Sequence, residues 1–392
     1  MISVETALAH LFDLVVTTET ETETVPLDQA CGRVLAKSVT AHRDQPPFSA
    51  SAMDGYAVSE KVITPGLELN VIGESAAGHR FNGAVRAGEA VRIFTGAPIP
   101  KNTNQVIIQE NIKRNGDKIV IQSVESTSSH IRVSGCDFKS TDQMRPPMVL
   151  KPSDIALLAA MNAPKLSVRK KPVIALISNG DELVTPGQSP GEDQIIASNT
   201  FGLAALIRAY GAVARILPIA RDNIKSLQTA LQLSEGADLI VTIGGASVGD
   251  HDLVAKAATQ IGFEQNFYKV AMRPGKPLMA GRLGNAALIG LPGNPVSAMV
   301  CGHIFLIPMV QAMLGLEQIQ RQRFEAKLAH DLAENGPREH YMRATLHPDG
   351  LHIDKRQDSA LLTVLSRSNA LAVRPPYAPF ATSGSIIEYI PI

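Results

Sequence analysis

Tryptophan is absent from this chain, and aromatic residues are scarce, at 4% of its 392 positions. This scarcity argues against a platform of aromatic side chains that stacks nucleic-acid bases. Long apolar runs are also missing, since no stretch approaches the roughly 20 uninterrupted apolar residues of a membrane span. The start of the chain lacks the basic flank of a secretion signal. We therefore expect a soluble, cytoplasmic protein that binds neither nucleic acid nor membrane.

Cysteines are few, and neither charge is in excess. Cys31, Cys136 and Cys301 lie far apart without metal-ligand spacing, so we expect reduced, buried thiols rather than disulfides or a zinc site. The 37 lysines and arginines balance the 37 acids, so no overall field attracts a polyanion. An anion site must therefore be built locally, and a small molecule is the expected partner.

The length predicts several domains, because 392 residues are too many for one compact core. In the second half of the chain, short runs of apolar, branched residues alternate with helical patterns. This alternation predicts right-handed crossovers and a mainly parallel sheet. The runs lie at 173–177, 212–220 and 238–243, and the helical patterns at 199–210 and 223–234.

The first third of the chain has a different pattern of apolar residues. Residues from about 42 to 137 contain short alternating segments separated by proline and glycine turns, which predicts a small β-rich domain. The helical segments 3–16 and 153–161 flank it and are expected to come together as one connecting module. Short strands return after residue 321. The predicted fold class is therefore α/β plus β-rich domains: a mainly parallel α/β domain, an inserted β-rich domain and a C-terminal β domain.

The most informative motif runs from Val241 to Val254. An apolar strand leads into a turn of small residues and then a helix opened by acids, so backbone N–H groups converge where a phosphate or oxyanion could bind. Acids beside a phosphate indicate Mg²⁺, which takes one or two carboxylates plus phosphate oxygens. The alternative is a tight connection without a ligand. The residues concerned are Gly244, Gly245, Ser247, Gly249, Asp250 and Asp252.

Further acids follow the other predicted strands. Asp181 and Glu182 come after the first strand, and Asp222 after the second. Because ligands on parallel sheets bind beyond the carboxyl ends of the strands, we expect these acids to share one edge with Gly244. The alternative is helix capping, since an acid such as Asp222 complements the dipole of the helix that follows.

A basic turn and a helix start add candidate anion ligands. Prolines stiffen the turn that holds Arg273 and Lys276, so both cations are held in defined directions, although a solvated charge cluster is the alternative. In Leu291-Pro-Gly-Asn-Pro-Val-Ser297, Asn294 is the expected N-cap and Pro295 the first helical residue. Free N–H groups and the Ser297 hydroxyl there would form a second anion site, although capping alone explains much of the motif.

Two polar residues of the β-rich domain precede glycines. Asp54 lies in Ser51-Ala-Met-Asp-Gly-Tyr-Ala57, where Gly55 allows a close approach of the backbone to another surface. Thr95 lies in Phe94-Thr-Gly-Ala-Pro-Ile-Pro100. For both residues, ordinary turn chemistry is the alternative interpretation.

Taken together, these motifs resemble those of the MoeA/gephyrin-type molybdopterin molybdotransferases over nearly the whole chain. The resemblance rests on the two segments just quoted, on Gly180-Asp-Glu-Leu183, Gly244-Gly-Ala-Ser-Val-Gly249 and Arg273-Pro-Gly-Lys-Pro277, and on the 291–297 segment, in that order. It implies an elongated homodimer of four-domain subunits. The implied domains are a connecting module at 1–42 with 138–169, the inserted domain at 43–137, the α/β domain at 170–318 and the C-terminal domain at 319–392.

The resemblance also implies a reaction and its residues. Molybdenum from molybdate is inserted into adenylylated molybdopterin, with Mg²⁺-dependent release of AMP. Other molybdenum cofactor biosynthesis proteins would hand over the labile substrate. Implied catalytic residues are Asp54, Thr95, Glu182, Asp222, Asp252, Lys269 and Lys276, with Glu182, Asp222 and Asp252 as metal ligands. Implied substrate-binding residues are Arg132, Asp137, Gly244, Gly245, Ser247, Gly249, Arg273, Pro292, Asn294, Pro295, Ser297, Arg343 and Ser359.

Three positions depart from the family pattern. Cys136 stands where an acid is common, Asn104 where Asp is frequent and Arg273 where many members have Lys. Two other functions stay open: a molybdopterin adenylyltransferase-like enzyme, which would make the adenylate, and a weakened paralogue acting as a binding scaffold. The additional N-terminal and C-terminal domains argue against the adenylyltransferase.

Overall fold

The computed structural model describes residues 1–15, 21–124, 128–244, 253–316 and 321–392. The chain divides into two compact units. The first unit comprises Met1–Glu23, Gly32–Val34 and Arg169–Ile392, and the second comprises Thr24–Cys31 and Leu35–Val168.

Up to residue 169, the described chain forms two α-helices and fourteen short strands. Their bounds are α1 Val4–Leu14, β1 Thr22–Pro26, β2 Val34–Leu35, β3 Val39–Thr40, β4 Ala50–Ser51, β5 Gly55–Val58, β6 Glu68–Ser75, β7 Glu89–Ile93, β8 Gln105–Ile108, β9 Ile112–Asn115, β10 Lys118–Ile121, β11 Ile131–Arg132, β12 Gln143–Met144, β13 Met148–Val149, α2 Pro152–Ala160 and β14 Lys165–Arg169.

The main sheet of the second unit has the strand order β8-β5-β7-β6-β10-β9. Its strands pair antiparallel except for β6 with β7. In β10, Ile119 and Ile121 are buried and Lys118 is exposed, which is the period of two expected of a strand with one apolar face. Gly55 of β5 pairs with Ile93 of β7. The residues just before β5 and just after β7 are therefore neighbours.

We expected α1 and α2 to come together, but they contribute to different cores. Helix α1 begins at Ser3, whose hydroxyl accepts a hydrogen bond from the Thr6 amide at 3.0 Å. Its buried residues join the core of the α/β sheet, whereas Leu158 of α2 packs in a core formed within the second unit. The apolar spacing of each helix predicted a buried face but not its partner. The four domain boundaries given above stay a prediction.

Between residues 170 and 316, strands and helices alternate. Their bounds are β15 Val173–Ser178, β16 Leu183–Val184, β17 Ile195–Ile196, α3 Asn199–Ala209, β18 Val213–Ile216, α4 Ile224–Gln232, β19 Leu239–Ile243, α5 Leu253–Thr259, β20 Phe263–Tyr268, β21 Met272–Arg273, β22 Met279–Leu283, β23 Ala286–Leu291, α6 Pro295–Cys301 and α7 Ile307–Met313.

The sheet of this region has the strand order β18-β15-β19-β23-β22-β20. The first four strands are parallel, and β22 and β20 add antiparallel pairs. All residues of β19 and β23 are buried, because helices cover both faces of the sheet. Helices α3 and α6 pack in one core, and α4 and α5 in the other. The predicted mainly parallel sheet is confirmed.

The helical stretch Pro295–Met313 is long and apolar enough to cross a membrane. In this structure 78% of it is buried inside the protein, so it serves as a core helix. Between α6 and α7 it widens into a π-helical segment, Gly302–Leu306. Pro308 explains the widening, because proline cannot donate a helical hydrogen bond and its ring crowds the preceding turn.

The last region is a mixed sheet with the strand order β21-β25-β27-β28-β24, in which β26 pairs with β25. Strand β21 adds parallel to β25, and the other pairs are antiparallel. The new elements are β24 Phe324–Lys327, β25 Glu339–His347, β26 Gly350–Ile353, α8 Leu362–Arg367, β27 Ala370–Arg374 and β28 Ile386–Pro391.

The expected fold class is confirmed, but the expected burial of the cysteines is wrong for two of three. All three thiols are unpaired, as expected, yet Cys31 and Cys136 are exposed and only Cys301 is buried. Burial raises the pKa of the Cys301 thiol. An isolated cysteine has no periodic context in the sequence, so its burial cannot be read from a local pattern.

Candidate functional site

A cleft of about 770 Å³ lies at the carboxyl ends of the parallel strands in the first unit. Strands β15, β19 and β23 end at Ser178, Ile243 and Leu291, and the chain beyond each end contributes to the cleft wall. Six predicted site residues line it together, although they are spread over more than 100 positions of sequence: Glu182, Asp222, Gly244, Pro292, Asn294 and Pro295.

The acids of the cleft are held by the turn that follows β15. Gly180 has a φ of +147°, and a Cβ added to it would lie 2.2 Å from Oε2 of Glu182. The carboxylate of Glu182 is therefore folded over a position that must remain glycine. The Asp181 amide donates to Oδ2 of Asp222, and the Asp222 amide donates to Oδ1 of Asp181, both at 3.4 Å. These bonds join the loops that follow β15 and β18.

The charge of the cleft is one-sided. Among its described lining residues, Glu182 and Asp222 are acids and there is no lysine, arginine or histidine. The rest of the wall is apolar or neutral, and includes Leu183, Ile195 and Ile196. A phosphorylated ligand in this cleft would be repelled by two carboxylates unless a cation lay between them.

Asn179 is a cleft residue that the sequence motifs did not single out. It is 5% exposed, and its side-chain nitrogen can donate to the carbonyl oxygens of Ile243 and Gly244 at 3.2 and 3.0 Å. Gly244 has a φ of +96°, and a Cβ there would meet the Asn179 carbonyl oxygen at 2.9 Å. Asn179 therefore supports the start of the glycine-rich turn. Its place directly after a buried strand was the available signal.

Much of the glycine-rich turn lies outside the described residues. This applies to Gly245, Ser247, Gly249, Asp250 and Asp252. Within the described ranges, no group of three His, Cys, Asp or Glu side chains could hold a metal ion. The predicted metal ligands Glu182 and Asp222 line the same cleft, and their third predicted partner, Asp252, belongs to the part not described.

The start of α6 differs from the expected anion site. Asn294 is at the N-cap position and Pro295 is the first helical residue, as predicted, but the Asn294 side chain does not cap the helix. Its Nδ2 donates to Oγ of Ser359 at 3.1 Å, and the Val296 amide donates to the Ser359 carbonyl at 3.0 Å. Ser297 is buried at 4% exposure. The expectation of free N–H groups is therefore wrong for Val296, because the chain at Ser359 already accepts its hydrogen bond.

Arg343, on β25, is fully buried. Its Nη2 donates to the Asp358 carbonyl at 3.0 Å, while its Nε and Nη1 have no hydrogen-bond partner among the described residues. Burial, followed by the charge of Arg273, lowers the pKa of the guanidinium. The side chain of Gln357 bonds both the amide and the carbonyl of Arg343, at 3.0 Å each. This clamp fixes the segment that brings Ser359 to the start of α6.

The other predicted cations lie on the basic turn. Arg273 is exposed, whereas Lys269 and Lys276 are half-buried, and the Lys269 ammonium lies 4.8 Å from the centroid of the Tyr268 ring. Arg273 pairs in register with His340 of β25. His340 is 6% exposed, and within the described ranges its Nε2 has no hydrogen-bond partner. Burial, and then the charges of Arg273, Arg343 and Arg338, lower the pKa of His340 to about 4.

In the second unit, Asp54 and Thr95 form a hydrogen-bonded pair. The amide and the hydroxyl of Thr95 both donate to Oδ1 of Asp54, at 2.7 Å each. The amide bond, then the hydroxyl bond and the nearby charge of Arg92, hold the pKa of the Asp54 carboxyl below its usual value. The carboxylate is therefore ionised at neutral pH. Its hydrogen-bond partner Thr95 is distant in sequence, so a local turn around Asp54 does not account for the pair.

The remaining predicted residues of this unit, Arg132 and Asp137, lie beside the segment that leads to Asp54. Exposed Arg132 pairs in register with Ala50, and the Asp137 amide donates to the Gln45 carbonyl at 3.0 Å. Asn104 lies at the other end of β5, where its amide bonds the Val58 carbonyl at 3.0 Å. Asn104, one of the three positions that differ from the family pattern, is thus separated from the Asp54–Thr95 pair by the length of β5.

The fold and the cleft together define a multidomain α/β protein with a ligand cleft at the carboxyl ends of its parallel strands. Three family models match the chain: the MoeA N-terminal region (domains I and II) over residues 2–162, a probable molybdopterin binding domain over 175–312, and the MoeA C-terminal region (domain IV) over 325–392. The chain belongs to the MoeA family of molybdopterin molybdenumtransferases.

Individual relatives extend this match to the full chain. A molybdopterin molybdenumtransferase of Nostoc sp. is 34% identical over 412 aligned positions, which cover 100% of this chain and 94% of that protein. One from Haemophilus influenzae is 35% identical and covers 76% of this chain and 74% of its own length. The crystal structure of a molybdopterin biosynthesis MoeA protein from Pyrococcus horikoshii is 26% identical, with a TM-score of 0.85 and complete coverage of both chains.

Proposed function

We propose that this protein inserts molybdenum from molybdate into adenylylated molybdopterin and releases AMP in a Mg²⁺-dependent step. The observation that carries this proposal is the cleft at the strand ends, which gathers Glu182, Asp222, Gly244 and Asn294 at one edge. Its family membership supports the same activity, since the relatives in Nostoc sp. and Haemophilus influenzae are named molybdopterin molybdenumtransferases.

The acids of the cleft fit Mg²⁺. This ion prefers carboxylate oxygens and is bound through one or two of them plus substrate phosphates. Glu182 and Asp222 supply such oxygens in a cleft whose described lining has no basic side chain, and Asp252 is the third proposed ligand. When bound, Mg²⁺ neutralises the charge that develops as AMP leaves. Gly245, Ser247 and Gly249 would offer backbone N–H groups to the phosphates, whereas the Gly244 amide already donates to the Leu291 carbonyl at 3.0 Å and shapes the turn.

The buried arginine fits the second substrate, molybdate, which is a tetrahedral dianion. Arg343 is fully buried, and two of its nitrogens have no hydrogen-bond partner in the part of the chain that the structure describes. A buried unpaired charge is costly and becomes favourable when an oxyanion accepts its hydrogen bonds. Arg273, Lys276, Ser297 and Ser359 are the proposed additional ligands.

We further propose a cytoplasmic homodimer in which a second copy completes the cleft. In this arrangement Asp54 and Thr95, with Arg132 and Asp137, face the α/β domain of the partner subunit, where Lys269 also acts. Support comes from the ionised Asp54–Thr95 pair, which is hydrogen-bonded within its own unit, with Thr95 exposed and Asp54 half-buried. Proteins of molybdenum cofactor biosynthesis that deliver the labile substrate are the proposed partners.

The test is a direct assay of the purified protein with adenylylated molybdopterin, molybdate and Mg²⁺. We expect AMP and molybdenum-loaded cofactor to form together, and chelation of Mg²⁺ to stop both. If no AMP is released, the proposal is wrong. A parallel reaction with ATP and molybdopterin separates the alternative, because formation of the adenylate would identify an adenylyltransferase.

A further inference from the structure

Asp54 is half-buried, and the hydrogen bonds to its carboxylate come from Thr95. It precedes the first residue of β5, and Thr95 lies two residues beyond the end of β7. Both residues therefore extend past the last ladder pair of their strands, Gly55 with Ile93. Their hydrogen-bonded geometry depends on whatever holds these two strand ends together.

Arg92 is the side chain that joins the two strand ends. Its Nη1 donates to the Gly55 carbonyl at 3.0 Å, directly beside Asp54. Its Nη2 donates to Oε1 of Gln109 at 2.8 Å, and the Gln109 amide in turn donates to the Asp54 carbonyl at 3.1 Å. The guanidinium is thus linked directly to the Gly55 carbonyl and, through Gln109, to the Asp54 carbonyl.

Two aromatic rings hold the guanidinium in this orientation. Its central carbon lies 4.6 Å from the ring centroid of Phe94 and 5.2 Å from that of Tyr56. Tyr56 is the cross-strand partner of Arg92, and Phe94 follows two residues after Arg92, directly beyond the end of β7. Phe94 is also the residue before Thr95. Cation–π contacts of this kind fix a planar fork that a lysine cannot reproduce.

We infer that Arg92 is a positioning residue that holds Asp54 and Thr95 in their hydrogen-bonded arrangement for the reaction. The inference rests on the proposed function. Arg92 itself bonds neither reacting group; it acts through Gly55, Gln109 and Phe94. Its positive charge also lies close enough to Asp54 to favour the ionised carboxylate.

The decisive variant is Arg92→Lys, which keeps the positive charge but loses the planar guanidinium that makes the two hydrogen bonds. Arg114→Lys is the matched control, because Arg114 is an exposed arginine of the same sheet whose side chain, among the described residues, bonds the Gly116 carbonyl within its own hairpin and nothing else. In the substrate-free protein, the Asp54 carboxyl is followed by ¹³C NMR, with its signal assigned by its loss in Asp54→Asn. Exchange of the Thr95 amide hydrogen, which donates to Asp54, is the second readout.

We expect Arg92→Lys to raise the pKa of the Asp54 carboxyl and to speed exchange of the Thr95 amide, with neither change in Arg114→Lys. In the AMP-release assay, we expect kcat to fall about 100-fold, because a misplacement of about 1 Å at a reacting group costs that much. We expect KM to change little, since the ground-state contacts of the substrate remain. Gln109→Leu removes one partner of Arg92 and is expected to shift each readout less, in the same direction.

The outcomes separate this inference from the function on which it rests. If Arg92→Lys leaves the Asp54 titration and the Thr95 exchange as in Arg114→Lys, Arg92 does not position the pair and the inference is wrong. If the wild-type protein releases no AMP, the proposed function is wrong, while the substrate-free titration still decides whether Arg92 holds the pair.

Discussion

The cleft and strand β25 belong to the same unit, but the cleft carries two acids whereas β25 carries a buried arginine. The described lining of the cleft contains Glu182 and Asp222 and no basic side chain, and the cleft is open to solvent. Strand β25 carries Arg343, which is fully buried without an ion-pair partner among the described residues. The difference teaches how each charge is balanced. Solvent and exchangeable ions screen the open acids, whereas the buried arginine needs a specific anion.

The two regions meet at one segment of chain. Gln357 and Arg343 hold the backbone at Asp358, Ser359 bonds the start of α6, and Ala360 lines the cleft. The proposed cation site and the proposed oxyanion site are therefore joined by a short, hydrogen-bonded connection. This arrangement fits a reaction with two anionic substrates, of which one requires Mg²⁺ and the other a fixed guanidinium.

The largest expected effect comes from removing charge in the cleft. Glu182→Gln should lower kcat/KM for AMP release roughly 1,000-fold, because a metal-bound transition state gains several kcal/mol from its ion. The measurement is AMP release against Mg²⁺ concentration. Glu192→Gln is the control, since Glu192 is an exposed acid on the connection between β16 and β17 that does not line the cleft. An unchanged Mg²⁺ dependence in Glu182→Gln would contradict the assignment of the cleft acids.

The second effect concerns the buried arginine. Molybdate should raise the Tm of the wild-type protein, because a ligand that binds only the folded state stabilises it, by about 2.7 kcal/mol at 100 times Kd. Arg343→Met should abolish this rise, since the oxyanion loses its buried donor. Thermal unfolding with and without molybdate measures the effect. Arg356→Met, at an exposed arginine of the next loop, should keep it. An equal rise in both variants would place the oxyanion elsewhere.

Sequence reasoning was most successful where topology determines the outcome. The carboxyl ends of parallel strands must share an edge, so local strand patterns were enough to bring Glu182, Asp222, Gly244 and Asn294 together. The glycine, proline and cap signals placed the start of α6 correctly, because they act within a few residues.

Features that depend on distant contacts were not predictable from local patterns. Asn179 supports Gly244 across two strands, and Gln357 clamps Arg343 from 14 residues away. No local pattern indicates that the Asn294 side chain donates to the Ser359 hydroxyl instead of capping α6. The core that α1 joins and the exposure of Cys31 and Cys136 were not predictable for the same reason. Tertiary packing, rather than the neighbouring residues in sequence, decides which side chains are buried.

A third, smaller effect is a pH dependence at His340. Its pKa in the folded protein is about 4, against 6.5 for the unfolded chain, so the unfolded state binds more protons between these values. Stability is therefore full above about pH 6.5 and falls as the pH drops towards 4, by at most about 3 kcal/mol. His340→Gln should remove this part of the loss in denaturant unfolding measured across that range.

Molybdate should change the pKa of His340 but not that of a second buried histidine, His303. The pKa of His303 is also lowered to about 4, by burial and then by Arg321, but His303 lies in the core helix. A dianion beside Arg273 and Arg343 should raise the pKa of His340. In His303→Gln protein, molybdate should therefore reduce the acid-induced loss of stability, and in His340→Gln protein it should not. The same response in both variants would separate the oxyanion from His340.

The smallest effect tests the connection between the two regions. Asn294 Nδ2 and Ser359 Oγ are joined by one hydrogen bond of 3.1 Å near solvent, so a double-mutant cycle of Asn294→Ala and Ser359→Ala should give a coupling of about 0.5–1 kcal/mol in the free energy of unfolding. The Val296 amide keeps its bond to the Ser359 carbonyl in both variants, because that bond is made by backbone atoms alone. Asn223→Ala provides the comparison cycle, since Asn223 caps α4 within its own turn and should combine additively with Ser359→Ala. If the Asn294 cycle is additive as well, the backbone bond between Val296 and Ser359 alone joins the start of α6 to the segment that Arg343 holds, and substrate coupling between the two regions must then pass through that bond.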